Sequence, residues 1–92
     1  EVTGSFAVNG SVDASGPITG SAGLFRGSVL PSVDMSYDLG SSTFRWANVY
    51  TGDLHLKNDR GNWTVIEEED YLSIRNNKTG KLYKFVLQEI EE

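Results

Sequence analysis

Gly4, Gly10 and Gly16 stand six residues apart, and around them the chain spends its apolar residues one at a time: Val2, Phe6, Val8 and Val12. Ile18, Leu24 and Val29 continue the pattern more loosely. Alternation broken by glycine predicts strands of about three to five residues with tight turns. Glycine at this density opposes a helix, and so do the β-branched residues. One apolar residue in every few is too sparse for such strands to build a core from one chain. Several copies around a shared axis supply what one lacks, with Val and Phe inward and glycine at the corners. The competing reading is a flexible Gly/Ser linker, in which regularly placed apolar residues would serve nothing.

Composition changes sharply after residue 36. Residues 1–36 hold six of the ten glycines and only four charged residues, Glu1, Asp13, Arg26 and Asp34. Residues 37–92 hold both tryptophans and all four tyrosines. At 92 residues the chain is one small domain in length. A compact monomer of this mass would expose roughly 5,300 Å² and bury about 64% of its unfolded surface. That is marginal without a disulfide, and the chain has no cysteine. Oligomerisation is one remedy.

The same inventory narrows the function classes. A net charge of -5 makes a poor phosphate-neutralising surface, so a nucleic-acid partner is not expected. No apolar run reaches the length of a membrane-spanning helix, and membrane insertion is not expected. Without cysteine there is no thiolate nucleophile or thiolate metal site. The chain begins at Glu1 without an initiator Met, which points to a processed chain or a piece of a longer one.

Residues 53–87 read as an antiparallel meander of four strands. Leu54 and Leu56 alternate with His55 and Lys57 over 53–57. Asn58-Asp59-Arg60-Gly61 is a turn, with Gly61 expected at a positive φ. The return strand covers 63–66, giving a hairpin over 53–67. The third strand is 71–75, and Asn76-Asn77-Lys78-Thr79-Gly80 is the next turn. The last strand covers 81–87, with Tyr83, Phe85 and Leu87 on one face and Leu82 and Val86 on the other. Phe44, Ala47 and Tyr50 stand three apart, a spacing that admits one helical turn.

The candidate sites each have a plainer alternative. Glu67-Glu68-Glu69-Asp70 offers oxygen ligands for a hard cation, but adjacent residues point in different directions. As an inter-strand loop, its like charges discourage edge-to-edge aggregation. His55 is the only histidine and cannot assemble an ordinary zinc site. No serine lies in a nucleophile-elbow sequence that would pair with it, so His55 is placed at a surface or interface. Trp46, Trp63 and the tyrosines could stack on sugars or bases, although in a small β structure their first use is core packing. Residues 16–27 contain no Gly-Lys-Ser/Thr and open no helix, which argues against a phosphate loop. Asn62-Trp63-Thr64 and Asn77-Lys78-Thr79 match the glycosylation acceptor pattern, which matters only in a eukaryotic secretory chain.

The stretch Tyr37-Asp38-Leu39-Gly40-Ser41-Ser42-Thr43-Phe44-Arg45-Trp46-Ala47-Asn48-Val49-Tyr50 resembles a motif, Y-D-L-G-S-S-x-x-R-W-x-x-[IV]-Y, of bacteriophage tail fibres, tailspikes and other virion appendages. There it often lies at the junction between a β-helical shaft and the next segment of the chain. Residues 61–85 resemble the end of structural proteins of marine and cyanobacterial phages. The resemblance covers 37–92 and implies a homotrimer located in the virion, on a phage tail or capsid surface. It implies packing roles for Leu39, Trp46 and Tyr50, a turn at Gly40, and Arg45 as partner of Asp38 or of a backbone carbonyl. In many such fibres the motif precedes a self-cleaving chaperone with a Ser–Lys dyad. No such domain is recognised after residue 50, and autoproteolysis is not carried over.

The expectation is an all-β protein, an intertwined homotrimeric β fibre or shaft followed by a small antiparallel meander. Residues 1–36 would be the shaft or attachment segment, 37–52 a collar, and 53–92 the C-terminal meander. The expected role is structural and non-enzymatic, with no cofactor and no metal. Its partners would be further copies of itself and other virion proteins. The alternative is a receptor- or glycan-binding tip, for which Trp63 and Tyr71 are the candidate contacts to a host surface. A polysaccharide depolymerase would need a carboxylate pair facing across a cleft, which so small a chain has little means to wall.

Overall fold

The computed structural model describes residues 7–91. The chain divides into two units between Asp38 and Leu39. The described residues are all β or irregular, without a helix. Four strands form one antiparallel sheet in sequence order: β1 (Leu54–Lys57), β2 (Asn62–Glu67), β3 (Leu72–Asn76) and β4 (Leu82–Lys84). The expected meander is therefore present, with β2 starting one residue earlier than predicted and β3 shifted by one.

Turn chemistry fixes the register. The side-chain oxygen of Asn58 accepts from the backbone N–H groups of Arg60 (2.9 Å) and Gly61 (3.0 Å), while Asn58 N–H donates to Gly61 O at 3.0 Å. This closure needs no left-handed residue, and the expected positive φ at Gly61 is absent. Gly61 serves a different end: a Cβ there would stand 3.2 Å from Nε1 of Trp63, whose indole lies over it. The β3–β4 turn does use a left-handed glycine, Gly80 at φ 78°, whose N–H donates to Asn76 O at 2.8 Å. Lys78 Nζ donates to Arg60 O at 2.9 Å, tying the two turns together at one end of the sheet. At the other end Glu68 N–H donates to Tyr71 O at 2.9 Å, so Glu69 and Asp70 form the loop tip between β2 and β3.

The last strand is shorter than the predicted 81–87. A strand pairs only as far as its neighbour runs, and β3 starts at Leu72. Phe85 N–H donates to Leu72 O at 3.0 Å as the final rung, and no strand continues beyond it. Both edge strands, β1 and β4, are short, at four and three residues, and each ends in a lysine.

Alternation assigns every strand residue to a face. Leu54↔Val65↔Ile74↔Tyr83 forms one row across all four strands, and Leu56↔Trp63↔Asn76 runs beside it. Leu72 lies on this same face, and so does Phe85 at the position opposite it. His55↔Thr64↔Arg75↔Leu82 forms a row on the other face, with Ile66↔Ser73↔Lys84 beside it. The sheet is a single layer.

The strands expected within residues 1–36 are absent from 7–36, and residues 1–6 lie outside the described residues. An isolated strand leaves its N–H and C=O groups to water, so sparse apolar residues give one copy no reason to hold extended pairing. The helical turn admitted over 44–50 is also absent. Instead Ser41 and Phe44 close a local turn: Ser41 N–H donates to Phe44 O and Phe44 N–H to Ser41 Oγ, each at 3.0 Å.

No described apolar residue is buried.

Candidate functional site

The two faces of the sheet differ in how completely their groups are satisfied. On the polar face Thr64 is 6% exposed and Ser73 only 1%, the two buried side chains among the described residues. Both are small residues on inner strands, shaded by longer neighbours. Asn77 Nδ2 donates to Thr64 Oγ1 at 2.9 Å and to Asn62 Oδ1 at 3.0 Å. Thr64 Oγ1 also lies 3.1 Å from His55 Nδ1. A hydroxyl has one proton and two lone pairs, so it can accept from Asn77 and donate to a neutral imidazole at once. Ser73 Oγ donates to Glu68 Oε1 at 3.3 Å. No buried side-chain polar atom among the described residues lacks a partner.

Sequence reasoning missed this network. His55 was legible as facing away from Leu54 and Leu56, but its alignment with Thr64 depends on register across the first turn. The available signal was the spacing itself: with Asn58 and Gly61 closing the turn, position 55 falls opposite 64. The Asn77 amide is fully engaged, with both protons donated, which leaves that acceptor sequence poorly disposed to carry a glycan. Of the acidic run expected as a loop, Glu67 is the last residue of β2, paired with Leu72, and only 68–70 lie in the loop, where Glu68 folds back onto Ser73; no group of three or more metal-ligating side chains stands together among the described residues.

The apolar face has no covering layer. Leu54, Leu56 and Tyr83 are half exposed, and Trp63, Val65 and Ile74 are partly covered only by one another and the strands. Trp63 and Tyr83 lean together over β3, with ring centroids 6.1 Å apart and planes at 42°. An open hollow of about 360 Å³ lies beside Trp63 at the end of β1 and its turn, bounded by Leu56, Lys57, Asn58, Arg60 and Gly61.

Trp63 and Tyr71, the two candidate ligand contacts, are not brought together. Trp63 stands on the apolar face near the β1–β2 turn, in contact with Tyr83. Tyr71 precedes β3 at the opposite end, and Lys84 Nζ of the polar face lies 4.7 Å above its ring centroid. No single ligand-binding surface combines them.

In the motif stretch Gly40 adopts a left-handed conformation, at φ 87°. A Cβ there would stand 3.2 Å from both Phe44 O and Cδ1 of Trp46, so the glycine also seats the indole. This repeats the arrangement of Gly61 and Trp63. Leu39, Trp46 and Tyr50 are 80%, 64% and 93% exposed in the single chain, which gives them almost nothing to pack against within it. Arg45 takes no part in the hydrogen bonds of the Ser41–Phe44 turn. No family model, curated protein or solved structure matches this chain.

Proposed function

We propose that the chain is a non-enzymatic structural protein of a bacteriophage virion, a homotrimeric fibre or spike component carried on the tail or capsid surface. One observation carries the assembly part of this reading: no described apolar residue is buried. Burial of apolar surface is the main force that holds a fold together, at about 25 cal/mol per Å². A chain that leaves Tyr50, Leu39 and most of a sheet face in water must find that burial outside itself. The motif at 37–50 supports the appendage, and its exposed Leu39, Trp46 and Tyr50 fit a collar packed between copies.

The mechanism is mechanical and adhesive. Residues 1–36 form the shaft, or attach it to other virion proteins. Residues 37–52 make the collar, and 53–92 the terminal meander. Sedimentation equilibrium at micromolar concentration tests this, with an expected mass three times the 10.1 kDa of one chain. A folded 10.1 kDa monomer overturns it.

A second reading, recognition of a host glycan or receptor, is favoured by the hollow of about 250 Å³ on which Tyr71, Ser73, Leu82 and Lys84 converge. An aromatic ring beside an ammonium suits a sugar bearing a carboxylate. An array of acidic glycans that gives no binding removes this reading.

A further inference from the structure

Outside the sheet the chain carries one chemically special pair, Asn9-Gly10. An asparagine side chain reacts with its own backbone. The N–H nitrogen of the next residue attacks the side-chain Cγ, the bond from Cγ to the amide nitrogen breaks, and ammonia leaves, giving a cyclic imide. Water then adds at either imide carbonyl and breaks the C–N bond there. The balance is asparagine plus water to aspartate or isoaspartate plus ammonia, with no oxidant or metal. The attacking nitrogen must be unhindered, and the backbone around it must rotate towards Cγ. A following glycine meets both conditions, because it has no Cβ and the widest range of φ and ψ.

The other asparagines are hindered or held. Asn48 precedes the β-branched Val49, and Asn58, Asn62, Asn76 and Asn77 precede Asp59, Trp63, Asn77 and Lys78. Within the sheet and its turns the reacting atoms are also engaged. The Asn77 N–H that would attack Asn76 donates to Asn62 O at 2.8 Å. The Lys78 N–H that would attack Asn77 donates to Asn76 Oδ1 at 3.0 Å. Asn58 Oδ1 accepts from two backbone N–H groups. Asn9 and Gly10, by contrast, are exposed and outside any strand. Gly10 N–H donates to no described backbone group, and a Cβ at Gly10 would meet nothing within 4 Å.

We propose that Asn9-Gly10 is a self-modification site of the unassembled chain, converting to aspartate and isoaspartate without an enzyme, and that assembly silences it. Where residues 1–36 pair as shaft strands, Asn9 is held extended and its Cγ lies out of reach of the Gly10 nitrogen. This second clause rests on the homo-oligomeric reading above, and the first does not. Each conversion adds a negative charge to a chain already at -5. Isoaspartate also routes the backbone through the side chain, and the added methylene puts Val8 and Val12 out of phase. The pair therefore times how long a free chain stays competent to build its shaft.

The full chain is incubated at neutral pH with sedimentation run alongside. Each asparagine is followed by peptide mass spectrometry and by isoaspartyl methyl transfer. In the dissociated chain Asn9 is expected to convert at least about ten-fold faster than any other asparagine, and faster still as pH rises, because the attacking nitrogen must lose its proton. Gly10→Ala, which meets no steric obstacle, should abolish that lead. Asn9 converting no faster than Asn48 in the dissociated chain overturns the site. In the assembled protein the conversion is expected to be at least about ten-fold slower. Equal rates in both states overturn the silencing and return residues 1–36 to the linker reading, with the site intact. A chain that is monomeric at every concentration and converts at Asn9 keeps the site and overturns the oligomer. Isoaspartyl chains formed before assembly should be missing from the assembled fraction, and their full recovery there overturns the timing role.

Discussion

Residues 54–84 and residues 7–53 answer the same shortage differently. The meander satisfies its backbone within the chain, through three antiparallel pairings and turns closed by Asn58, Asn76 and Gly80. Residues 7–53 form no strand, and their backbone closes only local turns, at Asp34–Met35 and Ser41–Phe44. Yet neither region buries an apolar side chain. Hydrogen-bonded order and apolar burial are thus separable. Local turn chemistry suffices for the first in a sheet of four short strands, and the second needs a layer that one copy does not contain. The same comparison explains why the sequence pattern at 7–36 does not become strands in a single copy.

Limited proteolysis is the largest test of this contrast. In dilute conditions that dissociate the protein, cleavage within 7–53 is expected to run at least about ten-fold faster than within 54–84, because opening a paired sheet costs more than admitting a protease to an unpaired segment. On assembly, both regions should become resistant. Rapid cleavage of 7–36 in the assembled protein would instead establish the linker reading of that segment.

The two left-handed glycines sharpen the comparison further. Gly40→Ala and Gly80→Ala each force a Cβ into a positive-φ position, at about 1–2 kcal/mol. Gly80 has open space around that Cβ, whereas Gly40 faces Phe44 O and the Trp46 indole at 3.2 Å. Thermal unfolding of the assembled protein should therefore fall further for Gly40→Ala. Equal shifts would mean that the Gly40–Trp46 packing contributes nothing beyond backbone conformation.

The smallest effect belongs to the polar network. Thr64→Val keeps the shape and removes the acceptor for one Asn77 proton and the partner of His55 Nδ1. The expected loss is about 1 kcal/mol, with no change in sedimenting mass. A Thr64→Val chain whose sedimenting mass changes would show that the polar face takes part in assembly.

Much of the meander was legible because its signals are local. Asn58 to Gly61 and Asn76 to Gly80 mark the turns, and the alternation of Leu54, His55, Leu56 and Lys57 sets the faces. The positive φ expected at Gly61 was misplaced, because the Asn58 side chain takes over the donors that would otherwise need a special backbone. The end of β4 was not legible, since it depends on where β3 begins. The expectation of core roles for Trp46 and Trp63 assumed a second layer. Trp63 leans on Tyr83 and lies over Gly61 within its own sheet layer, and Trp46 lies against Gly40. The buried Thr64 and Ser73 escaped notice because shading by neighbouring strands, rather than hydrophobicity, hides them.

The lysines that close β1 and β4 set a limit on growth. An open sheet of this kind would ordinarily template its own continuation, strand upon strand, without a natural stopping point. Here each margin is only three or four residues long and ends in a cation. Bringing the β1 margin of one copy beside the β4 margin of another sets Lys57 and Lys84 among the approaching charges. The margins of this sheet are therefore poor places for a further strand to add.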